Sequence, residues 1–215
     1  MGGGGRDSPG RGGRLTVFLR NRRGVSAVEF ALVLPLMLAI LFGATEFSRA
    51  IDNRRKVMNL ARTVADLTAA GDAQAPMRAT ALADIMASAK LVLAPFRSES
   101  ARIVVSALGV DASNAARPRV CSSYAGPNAT ARGTGPAADL TVPDGFRLPG
   151  MRYIIAEVSM AYAPVFGSAV MRLVGGANNR FTFTASTPWP VRGGQAYESG
   201  YNEIVLPNGK PCPGT

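Results

Sequence analysis

The chain has 215 residues, 47% hydrophobic and 18% charged, which is the composition of a folded domain with appendages. Its 24 basic residues against 14 acidic give a net charge of +10. Six of the arginines (Arg6, Arg11, Arg14, Arg20, Arg22 and Arg23) precede the first apolar segment, and the rest are scattered without a basic helix or interleaved aromatics, so nucleic acid is not an expected partner. Histidine is absent, which removes the commonest metal ligand and general base.

Residues 1–14 are rich in Gly, Arg, Ser and Pro and read as a solvated cytoplasmic tail. From residue 25 to 45 the only charge is Glu29, and as a helix this stretch reaches about 31 Å, enough to cross a bilayer core. The uncharged part, residues 30–45, reaches only about 24 Å. It spans comfortably when Glu29 is near the interface or neutralised. An acid at mid-membrane costs about 2.5–3.5 kcal/mol on insertion scales, so Glu29 needs a reason. Ser48-Arg49-Ala50 is a poor secretory cleavage site, because Glu46 and Arg49 crowd it; the segment reads as an anchor. Arg20, Arg22 and Arg23 before it and Arg49, Arg54, Arg55 and Lys56 after it nearly balance the positive-inside count. The large C-terminal part with two cysteines tips the reading to a cytoplasmic N-terminus and an exported domain.

Beyond the anchor the helix is expected to continue. Val57, Leu60, Ala61, Val64, Leu67 and Thr68 recur at helical spacing, with Arg54, Arg55, Arg62 and Asp66 largely off that stripe, and Gly71-Asp72 ends it. A second helix is expected to begin at Pro76 and stop before Pro95, with Ala81, Leu82, Ile85, Met86 and Ala89 on one face. The period then changes. Residues 102–108 read as a strand, 111–114 as a turn and 120–124 as a short strand. Residues 126–150, rich in Gly, Pro and Ala, read as a long loop. Residues 153–162 alternate most clearly, residues 165–174 fit a short amphipathic helix, and Phe181, Phe183 and Ala185 alternate with threonines in another strand. The tail from Pro207 to Pro213 is irregular.

The fold class is therefore α+β: a long N-terminal transmembrane helix, a second helix, and an antiparallel sheet of three or four strands. The segments are 1–24, a basic leader or tail; 25–46, the membrane helix; 47–73, its extension; and 74–215, an α+β domain.

No catalytic constellation is present: there is no nucleophile elbow, phosphate loop, dinucleotide fingerprint or zinc-protease helix. No enzyme activity and no cofactor is expected. Asp139 and Asp144 read as solvated turn residues ahead of a carboxylate pair or calcium site. Asn128-Ala129-Thr130 matches a glycosylation sequon. Trp189, between Pro188 and Pro190, reads as a packed anchor. Cys121 and Cys212 lack metal spacing; they are either a disulfide in an oxidising compartment or two unrelated thiols. The expected bond closes a loop of about 90 residues and ties the tail to the sheet.

The run Arg23-Gly24-Val25-Ser26-Ala27-Val28-Glu29-Phe30-Ala31-Leu32-Val33-Leu34-Pro35, with Glu46-Phe47 after it, resembles the TadE-like family, minor pseudopilins of the tight-adherence (Flp) pilus. Val158-Ser159-Met160-Ala161-Tyr162-Ala163-Pro164 also looks like that family's later strand. Val25 departs from general type II pseudopilins, which place an aromatic after the glycine. The resemblance implies a pilin-like fold in the bacterial inner membrane, with the domain in the periplasm. It implies that a separate prepilin peptidase cuts after Gly24, and that other pilin-like subunits and the assembly platform are partners. Glu29 would then pair with the new ammonium at Val25 of a neighbouring subunit; otherwise it is an interfacial acid that snorkels to water. The other reading of the chain is a signal-anchored periplasmic binding or adhesion module unrelated to pili.

Overall fold

The structure, a computed structural model, describes residues 25–111, 113–165, 180–197 and 200–213. Contacts divide the chain into two units, Met1–Phe47 and Ser48–Thr215, and one helix, α1 (Val25–Ala70), contributes to both.

In the first unit, α1 is apolar all round. Leu32, Val33 and Leu34, about 100° apart in turn, point to three different sides of the helix, and each is exposed on the single chain. Pro35 sits inside this stretch without ending the helix. Proline removes one backbone hydrogen bond, and such breaks are tolerated where neighbouring groups can satisfy the freed carbonyl. The helix is long and apolar enough to cross a membrane, and it suggests a single-pass anchor.

In the second unit the same helix becomes amphipathic. Asn53, Val57, Leu60, Ala61, Val64, Ala65, Thr68 and Ala69 are buried along one stripe. Leu67, expected on that stripe, is 41% exposed, because it falls at the edge of the covered arc. Gly71 ends the helix in the left-handed region (φ 74°), its N–H donating to the Thr68 carbonyl at 3.0 Å. The backbone N–H groups of Arg192 and Gly193 donate to the Ala69 carbonyl at 2.9 and 3.0 Å. Gly193 is needed there, since a Cβ would meet the Ala70 carbonyl oxygen.

The second helix is shorter than expected, α2 (Ala79–Ala87), followed by the single turn α3 (Ala89–Val92). Its first expected turn is spent on a hydrogen-bonded link: Asp72 accepts from Arg78 Nε at 2.7 Å, and Met77 N–H donates to the Val205 carbonyl at 2.8 Å.

The sheet comprises β1 (Ala101–Val110), β2 (Pro118–Ala125), β3 (Gly135–Pro136), β4 (Arg152–Tyr162) and β5 (Phe181–Pro190), in the order β3-β2-β1-β4-β5 and antiparallel throughout. Five strands stand where three or four were expected; the fifth is the two-residue β3, inside the loop 126–150. A small ribbon, β6 (Gln195–Ala196) with β7 (Asn202–Glu203), was not foreseen. The proposed helix at 165–174 lies, after Val165, outside the described residues. Pro188 and Pro190 fall on the edge strand β5, where a missing N–H breaks no ladder. Trp189 between them packs on the core, as expected.

Two cores cover the two faces of the sheet. On one, the α1 stripe, Leu82 and Met86 of α2, Leu93 and Leu206 pack on Ile103, Val105, Ile154, Ala156, Val158 and Met160. Each fully buried leucine contributes about 1.5–3 kcal/mol. On the other, Val142 and Ala137 fold over Leu108, Val110, Val120, Tyr153 and Ile155. Part of the long loop is thus core, and burial pushes the Tyr153 hydroxyl up to about 12.

Cys121 on β2 and Cys212 in the tail form a disulfide, with Cα atoms 4.8 Å apart and a sequence separation of 91. A loop of that size corresponds to about 4–5 kcal/mol in the chain-entropy account. Alongside it, Arg152 Nε donates to Glu203 Oε2 at 3.0 Å, and Glu203 also accepts the Cys212 N–H at 3.1 Å, all three buried. Burial pushes the Glu203 carboxyl up, against the opposing pull of Arg152.

Candidate membrane and processing site

The candidate site is the start of α1. Val25 opens the helix and is 52% exposed. Glu29 lies one turn on, at i+4, so both residues occupy one face of the helix, about 6 Å apart in rise. Glu29 is exposed, and no described residue of the chain pairs with it. Gly24, the residue before the expected cut, lies outside the described residues, as do the basic cluster Arg20, Arg22 and Arg23 and the tail 1–14.

This arrangement can do little chemistry alone. It offers a carboxylate at the mouth of an apolar helix, with a residue one turn earlier that would carry an ammonium if the chain began there. In low dielectric a like-sized opposite charge is the partner that makes such a carboxylate tolerable. The apolar flanks, Phe30 at 61% and Val28 at 61% exposure, need covering by lipid or by other helices.

The cysteines are not part of this site. Their disulfide lies in the second unit and secures the tail to β2. The turn carboxylates go to arginines rather than to each other: Asp139 accepts from Arg132 Nη1 at 2.7 Å, and Asp144 pairs with Arg147 at 3.0 Å. Arg132 also donates to both oxygens of Glu157 on β4, which raises the guanidinium further still. Among the described residues there is no cluster of three Cys, Asp or Glu side chains suited to a metal.

Sequence reasoning missed two features. Asn53 is wholly buried on α1; its Oδ1 has no hydrogen-bond partner and its Nδ2 reaches only Met160 Sδ at 3.7 Å. A single asparagine between Asp52 and Arg54 gives no periodic signal. The Arg152–Glu203 pair joins positions 51 apart in sequence, which no local pattern reveals.

The protein-family comparison matches residues 24–66 to the family described as TadE-like protein. That match begins at Gly24, includes Val25, Glu29 and Glu46-Phe47, and covers about a fifth of the chain. No curated protein and no solved structure matches the chain.

Proposed function

We propose that this chain, TadE-like over residues 24–66, is a minor pilin-like component acting in assembly of Flp, or tight-adherence, pili. The TadE-like segment and the apolar helix fit a Tad pilus-related membrane protein; the finer role is this reading's own. The observation that carries it is the coincidence of the family match with Glu29 one turn past Val25. A separate prepilin peptidase hydrolyses the Gly24–Val25 peptide bond: water adds, leaving a carboxylate on Gly24 and an ammonium on Val25. That ammonium pairs with Glu29 of a neighbouring subunit and sets the axial register of helices in the membrane. The N-terminus is cytoplasmic, the anchor lies in the inner membrane, and the α+β domain is periplasmic, where its disulfide is stable. The chain is the peptidase's substrate and has no catalytic role.

The test is N-terminal sequencing beside a pilus count in the same strains. Wild-type protein should begin at Val25. Replacing Gly24 with a bulky residue should leave a precursor longer by 24 residues. Glu29→Ala should still be cut, because the acid lies beyond the scissile bond, yet pili should be lost. Removing a charge raises helix hydrophobicity, so failed insertion cannot explain that loss. Wild-type protein starting before Val25, together with normal pili in the Glu29→Ala strain, would overturn the pseudopilin mechanism and leave only a membrane-anchored accessory protein.

A further inference from the structure

We infer that the outer edge of β5 takes up an extended segment of another protein as an additional antiparallel strand, the segment being β-branched and uncharged except for a carboxylate at its C-terminal end. β5 is last in the order β3-β2-β1-β4-β5, and no described strand pairs with its far side. The ladder decides which of its backbone groups face that side. Val110 N–H donates toward β4, to the Met151 carbonyl at 2.9 Å, while the Ile103 carbonyl faces the other way and accepts from Gly126 N–H at 2.9 Å. Backbone groups alternate sides along a strand, so the even-numbered residues of β1 face β4. Their partners on β4, from Tyr153 to Ser159, are odd-numbered, which leaves the even-numbered residues of β4 facing β5. Those pair with the odd-numbered residues of β5. Thr182, Thr184, Ser186, Pro188 and Pro190 therefore turn their backbone outward. The two prolines agree, since both sit where no N–H is needed. Thr182, Thr184 and Ser186 each present an N–H and a carbonyl there, and neither group has a hydrogen-bond partner among the described residues.

Exposed edges are ordinarily blunted by charge, by bulges or by brevity. β5 has ten residues, no charged side chain, and pairs with β4 without a register shift. The opposite edge of the sheet contrasts with it. There β3 covers the start of β2, Ser122 Oγ accepts the Leu206 N–H at 3.1 Å, and Ser123 Oγ accepts the Arg132 N–H at 3.0 Å. On β5 only Pro188 and Pro190 act as guards, and they close one end. Between 182 and 186 an incoming strand can exchange about six hydrogen bonds, two at each outward residue.

The side chains state the chemistry of the occupant, because directly opposed residues share a face. On one face Thr182, Thr184 and Ser186 are exposed, the last two beside an open cleft of about 750 Å³, and hydroxyl side chains suit it. On the other, Phe181 is 52% exposed, and Phe183 and Ala185 pack against the core. Apolar β-branched side chains would extend that core, and a charge there would be costly. Arg180, exposed and just ahead of the strand, lies opposite the C-terminal end of an antiparallel segment, and the net charge of +10 favours an anionic partner. A second copy does not fit. α1 runs beside β5 in the same direction, with Asn53 at Met160, whose partner on β5 is Phe183, and Ala69 at Arg192. Pairing two β5 strands antiparallel would run the two α1 helices antiparallel, whereas copies anchored with one topology run them parallel. The inference rests on the sheet and is independent of the pilus reading.

The probe is a fluorescein-labelled heptapeptide, blocked at both ends, that alternates threonine and valine and ends in aspartate. Its threonines then fall opposite Ser186, Thr184 and Thr182, and its aspartate opposite Arg180. Fluorescence anisotropy with the full chain in non-ionic detergent should give a Kd below about 0.2 mM. N-methylating the central threonine removes an N–H aimed at β5 and should weaken binding about tenfold or more. N-methylating a valine, whose N–H points away, should change it by less than about twofold. Thr184→Pro removes the outward N–H from the protein side. It should keep the melting temperature within about 2 °C, as the native prolines keep the ladder, and lose about tenfold in affinity. No binding by the wild-type chain up to about 0.2 mM overturns the inference. So does equal weakening by the two N-methylated peptides, or a Thr184→Pro chain that melts and binds like the wild type. A Thr184→Cys chain that forms a dimer linked through that position, in competition with the peptide, also overturns it and makes a second copy the occupant.

Discussion

Two stretches of one helix, residues 30–45 and 53–69 of α1, differ in what covers them. Both are α-helical, with one backbone hydrogen bond missing at Pro35 in the first. In the first, Leu32 is 74% and Ile40 64% exposed, and apolar side chains point in every direction. In the second, Val57, Leu60, Ala61 and Val64 are wholly buried and the arginines face out. A helix is amphipathic when the chain supplies its own cover and uniformly apolar when something else does. The sheet supplies the cover for the second stretch. Among the described residues the first has none, so lipid or other helices are what can cover it.

The sharpest break of this comparison is replacement of residues 1–47 by a cleavable secretory signal. The full chain should sediment with membranes, and the remainder beginning at Ser48, exported by that signal, should be recovered in the soluble fraction with its disulfide formed. The measurement is fractionation followed by thiol counting. If the shortened chain stays with membranes and resists salt and carbonate washes, the domain carries a second apolar attachment and the contrast between the stretches is wrong.

A matched pair of leucines sharpens it next. Leu60→Ala removes a fully buried side chain between α1 and the sheet and should cost about 2–5 kcal/mol. For a domain of this size that is roughly 5–15 °C in melting temperature. Leu32→Ala should move the same melting temperature by no more than about 1–2 °C, since the side chain touches no core residue. Equal effects of the two substitutions would mean that the first stretch also packs on the chain's own domain.

Much of this contrast was legible in the sequence. The alternation of Ile154, Ala156, Val158 and Met160 announced β4, and Gly71 announced the end of α1, because each reports a local rule: period two for a half-covered strand, positive φ for a helix stop. Glu29 was legible because a lone acid in an apolar run is conspicuous. Strand order was not, since β1 pairs with β4 across some fifty intervening residues and only packing chooses the partner. The ribbon β6–β7 was missed because two-residue strands carry no period. Leu67 was misplaced because a 3–4 spacing marks a stripe but not its edges. At the candidate site the register of Val25 and Glu29 followed from helical geometry. The orphaned Asn53 needed the neighbouring sheet to be seen at all.

The smallest expected effect concerns the link that follows the covered stretch. Asp72 accepts hydrogen bonds from Arg78 Nε at 2.7 Å, Arg78 Nη2 at 3.2 Å and the Ala73 N–H at 2.6 Å. The Arg78 side chain, first among these, holds the carboxyl below its ordinary value of 3.8. A carboxyl with a depressed folded-state pKa adds stability that is present above the unfolded value and lost as pH falls through the folded one. Asp72→Asn should therefore lower the melting temperature slightly at pH 6. The difference from wild type should shrink as pH drops below 3.8 and vanish once Asp72 is protonated in both states. The comparison must be made as a difference between the two proteins, because Asp139 and Asp111 are also held low by their partners and contribute their own acid sensitivity. Melting curves of both proteins from pH 6 to pH 2.5 supply it. A gap that stays constant across that range would assign the effect of Asp72 to shape and backbone contacts alone. The ion pair with Arg78 would then have no part in holding the end of α1 to the turn that follows.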